Sequence, residues 1–149
     1  MKSVRTGRQW IAAAVGTLVA LALTACAHES STAAQTLTVS YVVLGNPTTV
    51  EVEIDELRCD DAEGLRTFVG GDEVDGRAPV TVAILGGQAS VAVRIDGDLW
   101  FVADGVVESD AGIVTFSDFT GSAVEQSADL TITDVVDAQA TISGELSCA

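Results

Sequence analysis

The sequence predicts an all-β domain with an antiparallel sandwich or barrel-like fold. Apolar and polar residues alternate with a period of two along most of the chain after residue 37, which is the pattern of strands with one buried and one solvated face. Turn-forming pairs rich in glycine, aspartate and asparagine separate these segments at short intervals. No segment has a convincing helical period. Short strands joined by tight turns are typical of antiparallel sandwiches and barrels.

Eight segments are predicted to be strands because they alternate or are rich in β-branched and aromatic residues. They are residues 37–44, 50–54, 80–84, 91–95, 99–103, 113–119, 130–133 and 140–148. Turns are predicted at Asn46-Pro47, Gly70-Gly71, Gly86-Gly87, Asp96-Gly97 and Asp110-Ala111-Gly112. Asp96-Gly97 is a good tight-hairpin signal, since it lies between apolar Ile95 and Leu99. Residues 60–65 are predicted to form one helical turn.

The first 25 residues have the pattern of an export signal. Lys2, Arg5 and Arg8 make a positive start, and residues 10–23 form an uncharged, mostly apolar run. A stable transmembrane helix needs about 20 residues, so this run fits the apolar region of a signal peptide better than a membrane span. The predicted organisation is a signal peptide (1–25), a lipidated cysteine with a tether (26–36) and a β-rich extracytoplasmic domain (37–149).

The signal ends in Leu23-Thr24-Ala25-Cys26, which matches the bacterial lipobox. Its small residues fit the narrow cleft of a signal peptidase, and its cysteine thiol takes diacylglycerol. Cys26 is therefore predicted to become the lipidated N-terminus and to anchor the chain at the extracytoplasmic face of the cell membrane, where a second acyl chain makes the anchoring stable. The residues up to 36 are small and polar without an apolar period, which predicts a flexible tether.

The charge of the chain restricts its partners. All 22 acidic residues follow Cys26, and only four arginines accompany them, so the formal charge of that part is −18. Nucleic acid is excluded as a partner because phosphate contacts need clustered lysine or arginine. An anionic membrane surface also repels such a domain. The acyl chains on Cys26 are therefore the predicted means of contact with membrane lipid.

Two further cysteines, Cys59 and Cys148, are predicted to form a disulfide. Export places them where thiols oxidise, and with no third thiol in the domain only one intramolecular pairing is available. Each lies in phase with apolar residues of its own segment, which puts both on the core side. The bond closes a loop of about 90 residues, for which chain entropy alone gives about 4–5 kcal/mol.

No catalytic residue and no cofactor are predicted, and the chain is not expected to be an enzyme. The one histidine, His28, lies in the tether, so neither a serine nor a cysteine hydrolase site has an imidazole within the domain. Most carboxylates fall on outward-facing positions or in turns, where a solvated surface explains them. A paired-carboxylate hydrolase also needs a lined sugar cleft, for which the few aromatic residues offer little.

Acidic turns provide candidate calcium ligands, because calcium prefers oxygen atoms presented by loops. The candidates are Asp72, Glu73, Asp75, Asp96 and Asp98, with Asp60, Asp61 and Glu63 as a further group. None of these runs has the ligand spacing of an EF-hand. No specific metal site is therefore predicted.

Trp100 is a possible binding residue. It is adjacent to Phe101 in a predicted strand, so the two side chains point to opposite faces of the sheet. One of them belongs to the core. The other is either covered by a second layer or exposed, and an exposed aromatic side chain is a candidate contact for a ligand or partner.

The chain resembles the mycobacterial nineteen-kilodalton lipoprotein antigen family. The similarity lies in the lipobox, the small polar tether, the segment ELRCDDAEGLRTFVGGD after an early strand and the closing segment ATISGELSCA. This chain is more acidic and its tether is shorter. The resemblance implies a cell-surface antigen, often glycosylated and recognised by host receptors through its acyl groups, with no enzymatic activity established.

The predicted function is that of a membrane-anchored envelope lipoprotein, a non-enzymatic, antigen-like surface or interaction module with an unknown protein or ligand partner. The alternative is a carrier of a small hydrophobic or lipid ligand, which needs an apolar cavity of several hundred Å³. An enzyme needs a buried carboxylate cluster in a cleft. A filled core with its carboxylates on the rim argues against both alternatives.

Overall fold

The computed structural model describes residues 29–31 and 33–148, and in these ranges strands, joined by turns and loops, are the regular structure and there is no helix. The predicted signal peptide, Cys26 and His28 lie outside the described residues. The strands are β1 (Glu29–Ser31), β2 (Gln35–Val43), β3 (Asn46–Ile54), β4 (Leu57–Ala62), β5 (Leu65–Gly70), β6 (Val80–Leu85), β7 (Gln88–Asp96), β8 (Leu99–Val106), β9 (Glu108–Asp110), β10 (Ile113–Gln126) and β11 (Ile132–Ser147). Within the described ranges no helix is long and apolar enough to cross a membrane.

All the strands belong to one antiparallel sheet that curls into a half-barrel, which confirms the predicted fold class. The strand order is β1-β4-β5-β6-β7-β8-β10-β11-β2-β3, and β9 pairs with the first residues of β10. The curl brings β3 close to β7 although the two strands are far apart in the sheet. The inner face of the sheet therefore packs against itself.

The core is this inner face, and it is filled by the residues that alternate along each strand. Its largest fully buried side chains are Phe68, Phe101, Leu37, Ile54, Leu57, Ile142 and Leu146. Of the described side chains, none that is polar or charged is buried. The carboxylates whose side chains are described all lie at the surface, where water solvates their charge.

Tight turns connect consecutive strands. Leu44-Gly45, Glu63-Gly64, Gly86-Gly87 and Ala111-Gly112 each place both residues at positive φ, the conformation of the type I′ turn that matches strand twist. This corrects two predictions. Asn46-Pro47 opens β3 rather than forming the turn before it. Residues 60–65 are not helical, because the Glu63-Gly64 turn folds β5 back onto β4.

The last two strands are longer than predicted. The predicted strands 130–133 and 140–148 form one strand, β11, whose first residue is Ile132. Leu130 lies in the preceding loop at a φ of 69°. Bulges in the pairing of β10 with β11 interrupt the period-two pattern, and for this reason the alternation fades between residues 133 and 140.

The predicted Cys59–Cys148 disulfide is present, with 6.2 Å between the two Cα atoms. Cys59 lies in β4 and Cys148 directly follows β11, and both side chains are buried in the core. Five strands separate β4 from β11 in the sheet order. The bond therefore joins distant parts of the sheet across the inside of the curl.

The predicted boundary between tether and domain, at residue 37, moves toward the N-terminus. Glu29–Ser31 pairs with β4, in the register Glu29 opposite Cys59 and Ser31 opposite Leu57. β2 begins at Gln35, whose side-chain amide donates to the Ser147 carbonyl and accepts from the Ser147 N–H, both at 2.7 Å. Part of the predicted tether thus belongs to the sheet.

The half-barrel has two ends. At the cleft end, the turns Glu63-Gly64, Gly86-Gly87 and Ala111-Gly112 surround a cleft of about 320 Å³. At the tryptophan end lie the Leu44-Gly45 turn, the loop 71–79, the turn at Gly97 and the loop 127–131. β1 runs antiparallel to β4, so its first residue, Glu29, is on the side of β4 that leads to the cleft end.

Candidate functional site

Trp100 lies on the outer face of the sheet, near the tryptophan end. It pairs with Arg94 on β7 and with Val124 on β10, and paired residues share a face. Phe101 points the other way into the core, as the alternation predicts. Trp100 is nevertheless only 3% exposed. Other side chains therefore cover it, and it does not present a free ring face to a ligand.

Two arginines provide most of this cover. The guanidinium carbon of Arg77 is 4.0 Å from the centre of the Trp100 ring, and that of Arg94 is 5.6 Å from it. Both distances fall within the range of cation–π attraction. Arg77 Nη2 also donates to Gln126 Oε1 at 2.8 Å, and Arg94 Nε donates to the Gly97 carbonyl at 2.6 Å. We call these four side chains, Arg77, Arg94, Trp100 and Gln126, the arginine–tryptophan cluster.

A small hairpin in the loop 71–79 carries Arg77 to this position. Val74 and Arg77 exchange two backbone hydrogen bonds, at 2.9 and 3.1 Å, around the turn residues Asp75 and Gly76, which both have positive φ. The C-terminal end of the loop is held to β7, because the Arg94 N–H donates to the Pro79 carbonyl at 2.7 Å. The loop therefore holds Arg77 across the outer face of the sheet.

The charges of the cluster are not balanced by ion pairs. Of the four arginines after Cys26, Arg58 pairs with Glu73 at 3.9 Å and Arg66 pairs with Asp61 at 3.0 Å. Arg77 and Arg94 have no carboxylate within ion-pair distance among the described residues. The cluster therefore offers two guanidinium groups outside any ion pair of the described residues, in a crevice that Asp75 and Asp98 also line.

Exposed apolar side chains lie close to the cluster. Val135 is opposite Val124, the neighbour of Trp100, and Ile132 is opposite Gln126. Val74 lines the same small crevice as Trp100. Their exposures are 51% for Val135, 49% for Ile132 and 45% for Val74. Positive, aromatic and apolar groups thus meet at this end of the domain.

The structure separates the calcium candidates. No three acidic, histidine or cysteine side chains form a group that can hold a metal ion in the part of the chain that the structure describes. Glu73 pairs with Arg58, while Asp75 and Asp98 line the crevice that also contains Arg77 and Arg94. Two guanidinium groups there repel a divalent cation. Asp72 and Asp96 are exposed residues of the loop and of the end of β7. In the further group, Asp61 pairs with Arg66, and Asp60 and Glu63 are exposed.

Two clefts lie away from the cluster, at the cleft end. The first, of about 320 Å³, is lined mainly by turn residues and by the Asp61–Arg66 pair. The second, of about 520 Å³, runs along β9 and the start of β10, from Val107 to Thr115. Most of their lining residues are exposed. Both clefts are surface features rather than cavities within the core.

The loop 127–131, beside the cluster, is ordered by one aspartate. The Ser127 hydroxyl lies 2.5 Å from Asp129 Oδ1, which also accepts the Thr131 N–H at 3.2 Å. These hydrogen bonds stabilise the ionised carboxylate and hold the pKa of Asp129 below its usual value of 3.8. The bond from the Ser127 side chain has the largest effect, and those from Thr131 follow. Ionised Asp129 therefore closes this loop.

Sequence reasoning identified Trp100 but missed Arg77, Arg94 and Gln126. For Arg94 a signal existed: the tight hairpin predicted at Asp96-Gly97 brings residues on either side of it into register, and Arg94 lies opposite Trp100. For Arg77 and Gln126 there was none. Their meeting depends on a loop that crosses the sheet.

No protein-family model matches the chain. Comparison with curated proteins and with solved structures also finds no significant match. The similarity to the nineteen-kilodalton lipoprotein antigens therefore depends only on the sequence segments that define it.

Proposed function

We propose that this chain is a lipid-anchored lipoprotein of the cell envelope and that its domain is a non-enzymatic, antigen-like interaction module. Acyl chains on Cys26 hold it at the membrane, and the tryptophan end contacts a partner. The partner is expected to present acidic and apolar groups, because the arginine–tryptophan cluster offers two guanidinium groups outside any ion pair in the described ranges, beside three exposed aliphatic side chains. Arginine, aromatic and aliphatic groups are common at the centres of protein interfaces.

One observation carries this proposal. β1, the strand nearest to Cys26 in the chain, begins opposite Cys59, and its N-terminal side points along β4 toward the cleft end, whereas the cluster lies at the opposite end. Trp100 and Val106 are six residues apart on β8, and this separation corresponds to about 20 Å along the strand. A chain anchored through residue 26 thus presents the cluster away from its point of attachment.

The anchor is tested by replacing the acylated residue. We expect Cys26→Ala to remain an unprocessed precursor or to be released from the membrane fraction, since no electrostatic attraction holds a domain of this charge at an anionic surface. Cys148→Ala is the matched control, because it also removes one cysteine but leaves the lipobox intact. Unchanged acylation and fractionation of Cys26→Ala contradict the proposal.

The interaction surface is tested by crosslinking in intact cells. The double variant Arg77→Gln/Arg94→Gln removes both charges of the cluster, and Arg66→Gln removes a charge at the cleft end. We expect the crosslinked products of the native chain to persist in the second variant and to be lost in the first. Equal loss in both variants, or no loss in either, contradicts a role for the cluster.

A further inference from the structure

A row of aliphatic side chains crosses the outer face of the sheet at the cleft end. Backbone pairing aligns Ala62 with Leu65, Leu65 with Leu85, Leu85 with Gln88 and Gln88 with Val106, and paired residues point to the same face. Four of these five side chains are apolar. Leu65 is 40% exposed, Leu85 61% and Val106 71%. We call Ala62, Leu65, Leu85, Gln88 and Val106 the apolar row.

The row departs from strict alternation at the ends of its strands. On β6, Val80, Val82 and Ile84 fill the core, and the intervening positions are expected to be polar. Leu85 instead faces outward at the last position of the strand. Val106 does the same at the end of β8, beside buried Val107. Nothing in the fold of the described residues requires aliphatic side chains at these exposed positions.

The direction of β1 brings the acylation site within reach of the row. Glu29 is opposite Cys59 on β4, and three more residues along β4 lead to Ala62, the first member of the row. The same number of residues separates Glu29 from Cys26. Three extended residues span about 10 Å, so the reach of Cys26 from Glu29 equals the length of β4 between Cys59 and Ala62.

We infer that the apolar row docks on the lipid surface to which Cys26 anchors the chain. This inference rests on the proposed lipid anchor and adds an orientation to it: the cleft end faces the membrane and the tryptophan end faces outward. The aliphatic side chains of the row make the contact. Asp61 is already paired with Arg66, but Glu63, Asp104 and Glu108 remain as negative charges near the row and are repelled by anionic headgroups. Lipids with zwitterionic headgroups therefore suit this surface better than anionic lipids.

The test uses the full acylated chain in vesicles of phosphatidylcholine brominated near the top of its acyl chains. After processing, Trp100 is the one tryptophan of the chain, and it is buried and remote from the row. Leu85→Trp adds a reporter within the row, and Leu44→Trp is the matched reporter at the opposite end, where Leu44 is 98% exposed. Because interfacial apolar groups lie about 5–10 Å into the headgroup and acyl boundary, we expect bromine to reduce the fluorescence of Leu85→Trp about twofold and to leave Leu44→Trp unchanged.

The outcomes separate docking from anchoring. Mass analysis that finds no acyl chain on Cys26 overturns both proposals. An acylated, vesicle-bound chain in which bromine does not quench Leu85→Trp keeps the anchor and overturns the docking. Quenching of Leu44→Trp alone shows that the tryptophan end faces the membrane, and this result also overturns the docking of the row. If Leu85→Trp is shielded from an aqueous quencher but not quenched by brominated lipid, a second copy of the chain covers the row instead of lipid.

Discussion

Arg77 stacks on Trp100, with its guanidinium carbon 4.0 Å from the ring centre. The two residues come from different parts of the fold, since Arg77 belongs to the loop 71–79 and Trp100 to β8. Stacking of this kind buries the arginine stem and the ring together while the charge stays near water. The contact thus fixes the loop to the sheet and leaves a positive charge at the surface of the tryptophan end.

We expect Arg77→Ala to lower the free energy of unfolding by about 1–2 kcal/mol, because it removes the stacking and the hydrogen bond to Gln126. It also uncovers Trp100, so the tryptophan emission should shift to the red. Urea unfolding and fluorescence measure both effects. Arg58→Ala is the control, because an exposed ion pair contributes about 0–1 kcal/mol. A native emission spectrum for Arg77→Ala contradicts the described contact.

Loss of the disulfide should destabilise the domain without changing its strand pairing. Reduction, or the double variant Cys59→Ala/Cys148→Ala, frees a segment with a sequence separation of 89 and is expected to cost about 2–5 kcal/mol. Urea unfolding with and without reductant measures the change. The control is the double variant, whose unfolding midpoint should be the same with and without reductant because it has no disulfide to reduce. An unchanged unfolding midpoint for the native chain under reductant contradicts the stabilising role.

Gly121 is predicted to tolerate no side chain. A Cβ atom there lies 2.5 Å from the Val102 carbonyl oxygen and 2.6 Å from Ala103 Cβ. We expect Gly121→Ala to lower the free energy of unfolding by about 1–3 kcal/mol, the usual cost of overpacking. Gly105→Ala is the matched control, because its Cβ meets only the Phe119 ring, at 3.0 Å. Equal losses of stability in the two variants contradict the difference in packing.

The pH dependence of the loop 127–131 follows from Asp129. Its pKa is lowered in the folded state, so its contribution to stability is present above its usual pKa of 3.8 and is lost as the pH falls through the lower, folded value. We expect Ser127→Ala to move this pKa back toward 3.8, as measured by NMR titration of the side-chain carboxyl. Thr133→Val removes a nearby hydroxyl that bonds to Glu125 and should leave the pKa of Asp129 unchanged. A larger change in the pKa of Asp129 in Thr133→Val than in Ser127→Ala contradicts the assignment of the Ser127 hydrogen bond as the main cause.

The sequence predicted most of the sheet because its signals are local. Alternation placed Val80, Val82 and Ile84 on the core face. It also placed Cys59 and Cys148 on the core side, where they form the predicted disulfide. The helical turn predicted at residues 60–65 was wrong, because that segment contains Glu63-Gly64, and both residues have positive φ. The structure uses the left-handed conformations of these two residues for a hairpin instead.

The parts that were missed depend on contacts between distant segments. Arg77 reaches Trp100 only because the loop 71–79 folds across three strands of the sheet, and no local pattern encodes that crossing. β1 pairs with β4 although Glu29–Ser31 has no apolar period. Pairing through the backbone leaves no trace in composition, so a small polar segment at a sheet edge is indistinguishable from a free tether.

The register of β1 also has a mechanical consequence. A pulling force on the chain from its N-terminal side enters the fold at Glu29, directly opposite Cys59. From there the covalent bond to Cys148 passes part of the load to the end of β11, which five strands separate from β4 in the sheet. Tension that passes from β1 into β4 is thus shared with a remote strand through a covalent bond.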